Sequence, residues 1–162
     1  MHKEIAFTKV ITEYEGVIFK ITTIYSNTAD DQKDLFQEIV YQLWKSFDSF
    51  RNESKISTWI YRVALNTAIT NFKKEKRKVN SIPIDKVMLQ YIEQHDSVME
   101  ERITQLYAAI KKLGAIEKGI ILLFLEGKSY EEIAAITGLT NTGVGTRLTR
   151  IRQKLKSQIV NT

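Results

Sequence analysis

The sequence predicts an all-α protein built as two small helical domains joined by a linker, the second domain ending in a helix-turn-helix. Three observations carry that prediction. Apolar residues recur at spacings of three and four through most of the 162 residues, which is the period of an amphipathic helix. The only proline, Pro83, stands near the start of a weakly patterned acidic stretch, where the helical pattern lapses. From Gly127 to Lys156 a capped short helix, a glycine turn and a longer basic helix follow one another.

The first helix is read from Glu4 to Tyr25, where Phe7, Val10, Ile11, Tyr14, Ile18, Ile21 and Ile24 form one apolar stripe. Ser26, Asn27 and Thr28 interrupt it. Thr28 can cap a second helix whose first turn carries Asp30, Asp31 and Asp34, where the helix dipole favours negative charge. Leu35, Ile39 and Leu43 give that helix an apolar row, widened by Phe36, Val40, Trp44 and Phe47. Asp34, Gln37 and Glu38 lie on its polar face. That face suits either plain solvation or a protein partner with a basic groove.

A polar loop around Asp48 to Lys55 leads to a third helix, capped by Ser54 or Ser57. Ile56, Trp59, Val63, Ile69 and Phe72 are expected to point inward, while Arg62, Asn66, Lys73 and Arg77 share an outer side. The helix finishes in KKEKRK, denser in positive charge than a helix C-terminus requires. Tyr61, Asn66 and Asn71 stand beside it with groups that stack on bases or hydrogen-bond their edges. Residues 81–101 are acidic and hold too few apolar residues for a core. The boundaries are therefore set at 1–80 for the first domain, 81–101 for the linker and 102–162 for the second domain.

Helical spacing resumes at Ile103, Leu106 and Ile110, pauses at Gly114, and returns in Ile120, Ile121, Phe124 and Leu125. Ser129 and Glu132 then have the spacing of a capping box that opens a short helix, and Gly138 closes it. Thr140 or Asn141 can cap the last helix. There Val144, Leu148, Ile151 and Leu155 recur at four, three and four, with Arg147, Arg150, Arg152, Lys154 and Lys156 between them.

Composition narrows the function. With 43% hydrophobic and 27% charged residues the chain is an ordinary globular one. No apolar run approaches the ~20 residues of a membrane span, and the N-terminus MHKEIAF has no signal-peptide apolar core. Membrane insertion is not expected, and a cytoplasmic location is. Cysteine is absent and His2 and His95 are the only histidines, so thiolate or imidazole metal sites and a Cys-His nucleophile have nothing to be built from. No catalytic residue, metal or cofactor is predicted. The net charge of +5 is divided into two basic blocks, 39–80 and 137–162, flanking the acidic stretch, and the second block contains no Asp or Glu. Two separate phosphate-facing surfaces fit that pattern better than one diffuse patch.

Taken together, DLFQEIVYQLW, FRNESKISTWIYRVALNTAITNFKKEKRK and SYEEIAAITGLTNTGVGTRLTRIRQKLK, in that order, resemble an extracytoplasmic-function (ECF) sigma factor, the smallest kind of bacterial sigma subunit. The resemblance covers Tyr14 to Lys78 and Ile103 to Gln158. It implies a transcription initiation subunit, not an enzyme, whose partners are core RNA polymerase through its beta-prime and beta subunits, promoter DNA and an anti-sigma factor. The segment matching Asp34 to Trp44 would dock on the clamp helices of beta-prime, giving Asp34, Gln37 and Glu38 their partner. The segment matching Phe50 to Lys78 would read the -10 element and hold its melted strand. The loop Phe50 to Ser57 would border a flipped-out base, Tyr61, Arg62, Asn66 and Asn71 would lie along the strand, and Lys73, Lys74 and Arg77 would meet phosphates. The last helix would enter the major groove at the -35 element through Thr140, Asn141, Thr142, Gly145, Thr146, Arg147 and Arg150.

Departures from the family pattern are also visible. Gly114 replaces a common proline and Lys118 a common arginine, both mild changes. Gly143 and Gly145 sit inside the recognition helix, at about 1 kcal/mol each in helix propensity. At Gly145 the missing side chain favours close approach of the backbone to DNA. A stand-alone helix-turn-helix regulator is the alternative, but it leaves the third helix and the acidic face without a purpose.

Overall fold

The computed structural model describes residues 2–50, 55–75 and 97–160. All regular structure in them is helical. The first unit comprises α1 (His2–Tyr25), α2 (Ala29–Ser46), a short 3-10 turn (Phe47–Ser49) and α3 (Ile56–Glu75). The second comprises α4 (Ser97–Lys111), α5 (Ala115–Leu125), α6 (Tyr130–Thr137) and α7 (Asn141–Val160). Ser97 to Glu101, assigned to the linker from sequence, belong to α4.

In the first unit the three helices pack pairwise, and the expected apolar rows meet between them. Ile18, Ile21, Leu35, Ile39, Leu43, Ile60 and Ala64 are completely or almost completely buried. Removing each larger side chain from water contributes about 1.5–3 kcal/mol. Thr28 caps α2 as predicted, its hydroxyl accepting from the Asp31 N–H at 3.0 Å. A small polar knot ties α1 to α2, with buried Gln32 donating to the hydroxyls of Thr22 and Thr23 at 3.2 and 2.7 Å. At one end Phe7, Trp44, Phe47, Trp59 and Phe50 form a continuous aromatic cluster, with successive ring centroids 5.1–6.1 Å apart. Edge-on and tilted contacts of this kind suit the ring quadrupoles. Phe50 is thereby anchored where the polar loop departs.

Two expectations for α3 need correction. The helix begins at Ile56, so Ser57 is inside its first turn and cannot be the cap; Lys55 holds the cap position, its carbonyl accepting from the Trp59 N–H. Ser54 lies outside the described residues. Nor is the inward stripe the one predicted. Ile56, Val63, Ile69 and Phe72 are only partly buried, whereas Thr58, Ile60, Tyr61, Ala64, Leu65 and Ala68 are buried along with Trp59. Packing on two sides is the reason: α1 and α2 cover one side of α3, and α5 and α6 cover another.

The second unit gathers around α7, whose Val144, Leu148, Ile151 and Leu155 are buried as their spacing predicts. Ile110, Leu113, Ile120, Leu123, Ile133 and Ile136 complete its core. In α5, Lys118 to Leu123 are all buried in succession, which one amphipathic face cannot explain. One side of that helix faces α6 and α7 and another faces α1 and α3. The two units consequently share one continuous apolar core rather than being separate bodies.

Candidate nucleic-acid interface

Local chemistry fixes the second unit's turn. Ser129 accepts from the Glu132 N–H and Glu132 accepts from the Ser129 N–H, both at 3.1 Å, completing the predicted capping box. Hydrogen bonds from Ser129 hold the Glu132 carboxyl below the ordinary value against a smaller opposing effect of burial, and the nearby Lys128 and Lys55 charges add to them. Gly138 leaves α6 at φ 82°, a left-handed conformation that favours glycine, and its N–H returns to the Ala134 carbonyl at 2.8 Å. Of the two predicted caps for α7, Thr140 is the one used, its hydroxyl accepting from the Gly143 N–H at 2.9 Å.

That turn presents the N-terminal half of α7 outward. Thr140, Asn141, Thr142, Thr146, Arg147 and Arg150 are exposed, and Gly145 is half-buried. Each of the two glycines has a side chain of the unit as its near neighbour. A Cβ at Gly143 would stand 3.0 Å from the Thr140 hydroxyl that caps the helix, and one at Gly145 would stand 3.3 Å from the Tyr130 ring. The five cations of α7 divide in the same way. Arg152 lies over the Phe124 ring at 4.7 Å and Lys154 pairs with Glu117 at 3.1 Å, inside the unit. Arg147, Arg150 and Lys156 are exposed and make no ion pair among the described residues. Burial alone would raise the Glu117 pKa, but the hydrogen bond from the Gly114 N–H, the Lys154 pair and the Arg147 charge together outweigh it, so its pKa is lowered.

On the first unit, Asp34, Gln37 and Glu38 are exposed along α2. Asn66, Lys73 and Lys74 are exposed on α3, and Asn71 is half-buried. Asp34, Glu38 and Gln42 form one wall of a polar groove and Asn66, Asn71 and Lys74 the other, enclosing about 590 Å³. Candidate docking and strand-holding residues are therefore brought together. Ser57, half-buried, lies within hydrogen-bonding reach of Tyr14. Arg77, with Lys76 and Lys78 of the KKEKRK run, lies outside the described residues.

Tyr61 and Arg62 stand apart. Tyr61 is only 6% exposed, with the Lys128 ammonium 5.0 Å from its ring centre. Burial first, then the carboxylate of Glu126, the Tyr14 phenol and Glu132, push its phenol up to about 12. Arg62 donates through Nη2 to the Ala135 carbonyl of α6 at 2.8 Å. Sequence reasoning missed the residues that make this seam. Lys118 is buried, its Nζ 3.3 Å from the Ile24 carbonyl and 4.0 and 5.5 Å from the ring centres of Phe72 and Tyr25. Tyr25 donates to the Ala115 carbonyl, and Lys20 pairs with Glu126 at 3.2 Å. The available signal was a lysine set between Glu117 and Gly119 at the start of an otherwise apolar run.

The two units match two models of one family. Residues 10–78 match sigma-70 region 2 and residues 103–155 match sigma-70 region 4. The chain belongs to the sigma-70 family of RNA polymerase sigma factors. Within it the chain is of the ECF type. It is 28% identical to the ECF RNA polymerase sigma-E factor of Escherichia coli K12 over 95% of this chain and 86% of that one. It is 29% identical to the RNA polymerase sigma factor SigV of Bacillus subtilis strain 168, over 92% and 88%. The fold agrees with two solved structures. One is the sigma factor RpoE of Bartonella quintana, determined with the anti-sigma factor NepR, at a TM-score of 0.76 and 21% identity over 95% of this chain and 96% of that one. The other is CnrH, determined with the cytosolic domain of CnrY, at 0.71 and 18% over 98% and 90%. As a sigma factor the chain serves promoter-specific initiation of transcription. A stand-alone helix-turn-helix regulator is not favoured, because the first unit is itself a sigma region. Among the described residues no helix is long and apolar enough to cross a membrane.

Proposed function

We propose that this sigma factor works in the cytoplasm as a two-point promoter reader without catalysis of its own. Core RNA polymerase docks on the Asp34, Gln37 and Glu38 face of α2 through its beta-prime clamp helices, with beta as the further contact. The outer side of α3, from Ser57 through Asn66 and Asn71 to Lys74, together with Arg77 beyond the described residues, holds the melted -10 strand by stacking, base-edge hydrogen bonds and phosphate contacts. The start of α7 enters the -35 major groove. An anti-sigma factor is the regulatory partner.

The observation that carries this reading is the exposed N-terminal half of α7, where Arg147 and Arg150 make no ion pair among the described residues while Arg152 and Lys154 are tied inside the unit. Cations left free at the start of a helix presented by a capped turn are placed for base edges and phosphates. The test is transcription by purified protein with core RNA polymerase on a promoter library. Run-off transcripts starting downstream of paired -35 and -10 motifs are expected. DNA retarded without transcripts would contradict the reading.

A further inference from the structure

The segment from Phe50 to Ser57, which the family resemblance sets beside a flipped-out base, is held at both ends by α1. On the entry side, the 3-10 turn Phe47–Ser49 leads directly into Phe50, whose N–H returns to the Phe47 carbonyl at 3.3 Å. The Lys3 ammonium reaches the Asp48 carboxylate of that turn at 2.9 Å and lies 3.9 Å from the centre of the Trp44 ring. One turn farther along α1, Phe7 is buried with its ring edge-on to both Trp44 and Phe47. Phe47 and Phe50 both meet Trp59 of α3, so contacts run without a gap from α1 to Phe50. On the exit side, Tyr14, about three turns beyond Lys3, lies within hydrogen-bonding reach of Ser57.

Cohesion of the helices does not require the Lys3 part of this arrangement. Phe7 already closes that end of the core against Trp44 and Phe47, and an ion pair to a carboxylate as exposed as that of Asp48, at 75%, adds little to stability. What the pair adds is direction. A cation held at once by a ring face and a carboxylate joins Trp44 and Asp48, which stand on either side of the junction between α2 and the 3-10 turn. With that junction fixed, Phe50 leaves it on one course, its ring resting 5.1 Å from that of Trp59 with the planes 31° apart. Lys3 and Phe7 both precede residue 10, where the match to sigma-70 region 2 begins. The contact therefore comes from outside the matched region.

We propose that the start of α1 is a brace for base capture, in which Lys3, seated with Phe7 on the aromatic cluster, is a positioning residue that sets the course of the chain at Phe50 and so the place where an unstacked base of the -10 strand is received. Lys3 does not touch DNA; it acts through Asp48 and the Phe47–Phe50 contacts. The brace rests on the reading of the Phe50 to Ser57 segment as the border of a flipped-out base. Taking a base out of the stack has a cost, and the receiving walls recover most when they are already in place. Looseness at Phe50 is therefore felt at one nucleotide and not along the whole strand.

The test uses holoenzyme reconstituted from the full chain and core RNA polymerase, on a promoter fragment recovered from the library, with the -10 non-template strand left single-stranded. Each -10 position in turn is made abasic, and the affinity is measured for the parent chain, Lys3→Ala, Lys3→Arg and Asp48→Asn. Helical circular dichroism checks that each variant folds, and Asp48→Asn breaks the same pair from its exposed side. In the parent, one abasic position is expected to cost about tenfold more than its neighbours. In Lys3→Ala that selective cost should shrink about fivefold, as for the loss of one ring contact and one exposed ion pair, while the other positions keep theirs. Asp48→Asn, which leaves the ring contact, should shrink it about twofold. Lys3→Arg should restore it, since a guanidinium serves both contacts. A selective cost as large in Lys3→Ala as in the parent overturns the brace and leaves base capture standing, and so does weaker binding of Lys3→Ala to every fragment alike, the mark of a merely structural role. If no position in the parent costs more than its neighbours, the base-capture reading itself falls, and the brace with it.

Discussion

Arg147 is the residue on which the -35 reading is most exposed to test. It stands on the second turn of α7 with no ion pair among the described residues. If it reads a base through two hydrogen bonds, Arg147→Ala should weaken binding to the preferred -35 duplex by about 1–3 kcal/mol and leave binding to unrelated duplex nearly unchanged. Competition binding on both sequences distinguishes that from an equal loss on all DNA, which would make it a phosphate contact. Gly145 calls for a different measurement. Its neighbour is the partly exposed Tyr130 ring, which can move aside by a few tenths of an ångström, so Gly145→Ala should stabilise the protein by up to about 1 kcal/mol. Gly143→Ala should gain less, because its Cβ would press on the capping hydroxyl of Thr140. Urea denaturation of the two variants ranks them. The sequence marked both glycines as a cost to the helix but could not reveal what they accommodate, since Thr140 and Tyr130 meet them only once the turn has formed.

At the scale of the element, capping was the most legible feature. Thr28, Ser129 and Gly138 each act as local chemistry requires, because a cap depends on residues within one turn of the chain. The Ser129 and Glu132 pair has a pH signature. Its carboxyl has a folded pKa below the ordinary 4.5, so the stability it contributes is complete well above that value and is lost as pH falls through the folded pKa. Glu132→Gln keeps an oxygen for the Ser129 N–H but cannot titrate. Acid unfolding followed from pH 6 to 3 should therefore be shallower in the variant, and parallel curves would show that the carboxylate contributes nothing. The α2 face is tested by charge. Asp34→Lys with Glu38→Lys should abolish binding to core RNA polymerase in a pull-down while helical circular dichroism is unchanged, both side chains being exposed. Unaltered binding would remove the docking role.

For the whole molecule, what was hidden in the sequence was the seam. Helix period finds one buried face per helix, and α3 and α5 each have two. Tyr61 reads as a free aromatic by its neighbours in sequence and becomes a buried one only because α5 and α6 arrive from more than fifty residues away. Lys118 looked like a mild replacement for the same reason. Its environment is made by Ile24, Tyr25 and Phe72, none of which is near it in the chain. The order and nature of the elements were legible from local pattern; the seam between the units was a property of the assembled core.

The aromatic cluster at the end of the first unit has an optical consequence. The chain has two tryptophans, Trp44 and Trp59, and both belong to that cluster. Intrinsic tryptophan emission is therefore a signal from one half of the molecule, while far-ultraviolet dichroism sums over every helix. Because the halves share a core, heating should give one midpoint by both signals; in a Gly119→Leu variant, whose added side chain would crowd Tyr25 and Leu65 of the first unit, the two curves should separate. Divergence already in the parent chain would show halves that melt independently. Two indoles placed by packing alone thus make the protein its own thermometer for how tightly its halves are joined.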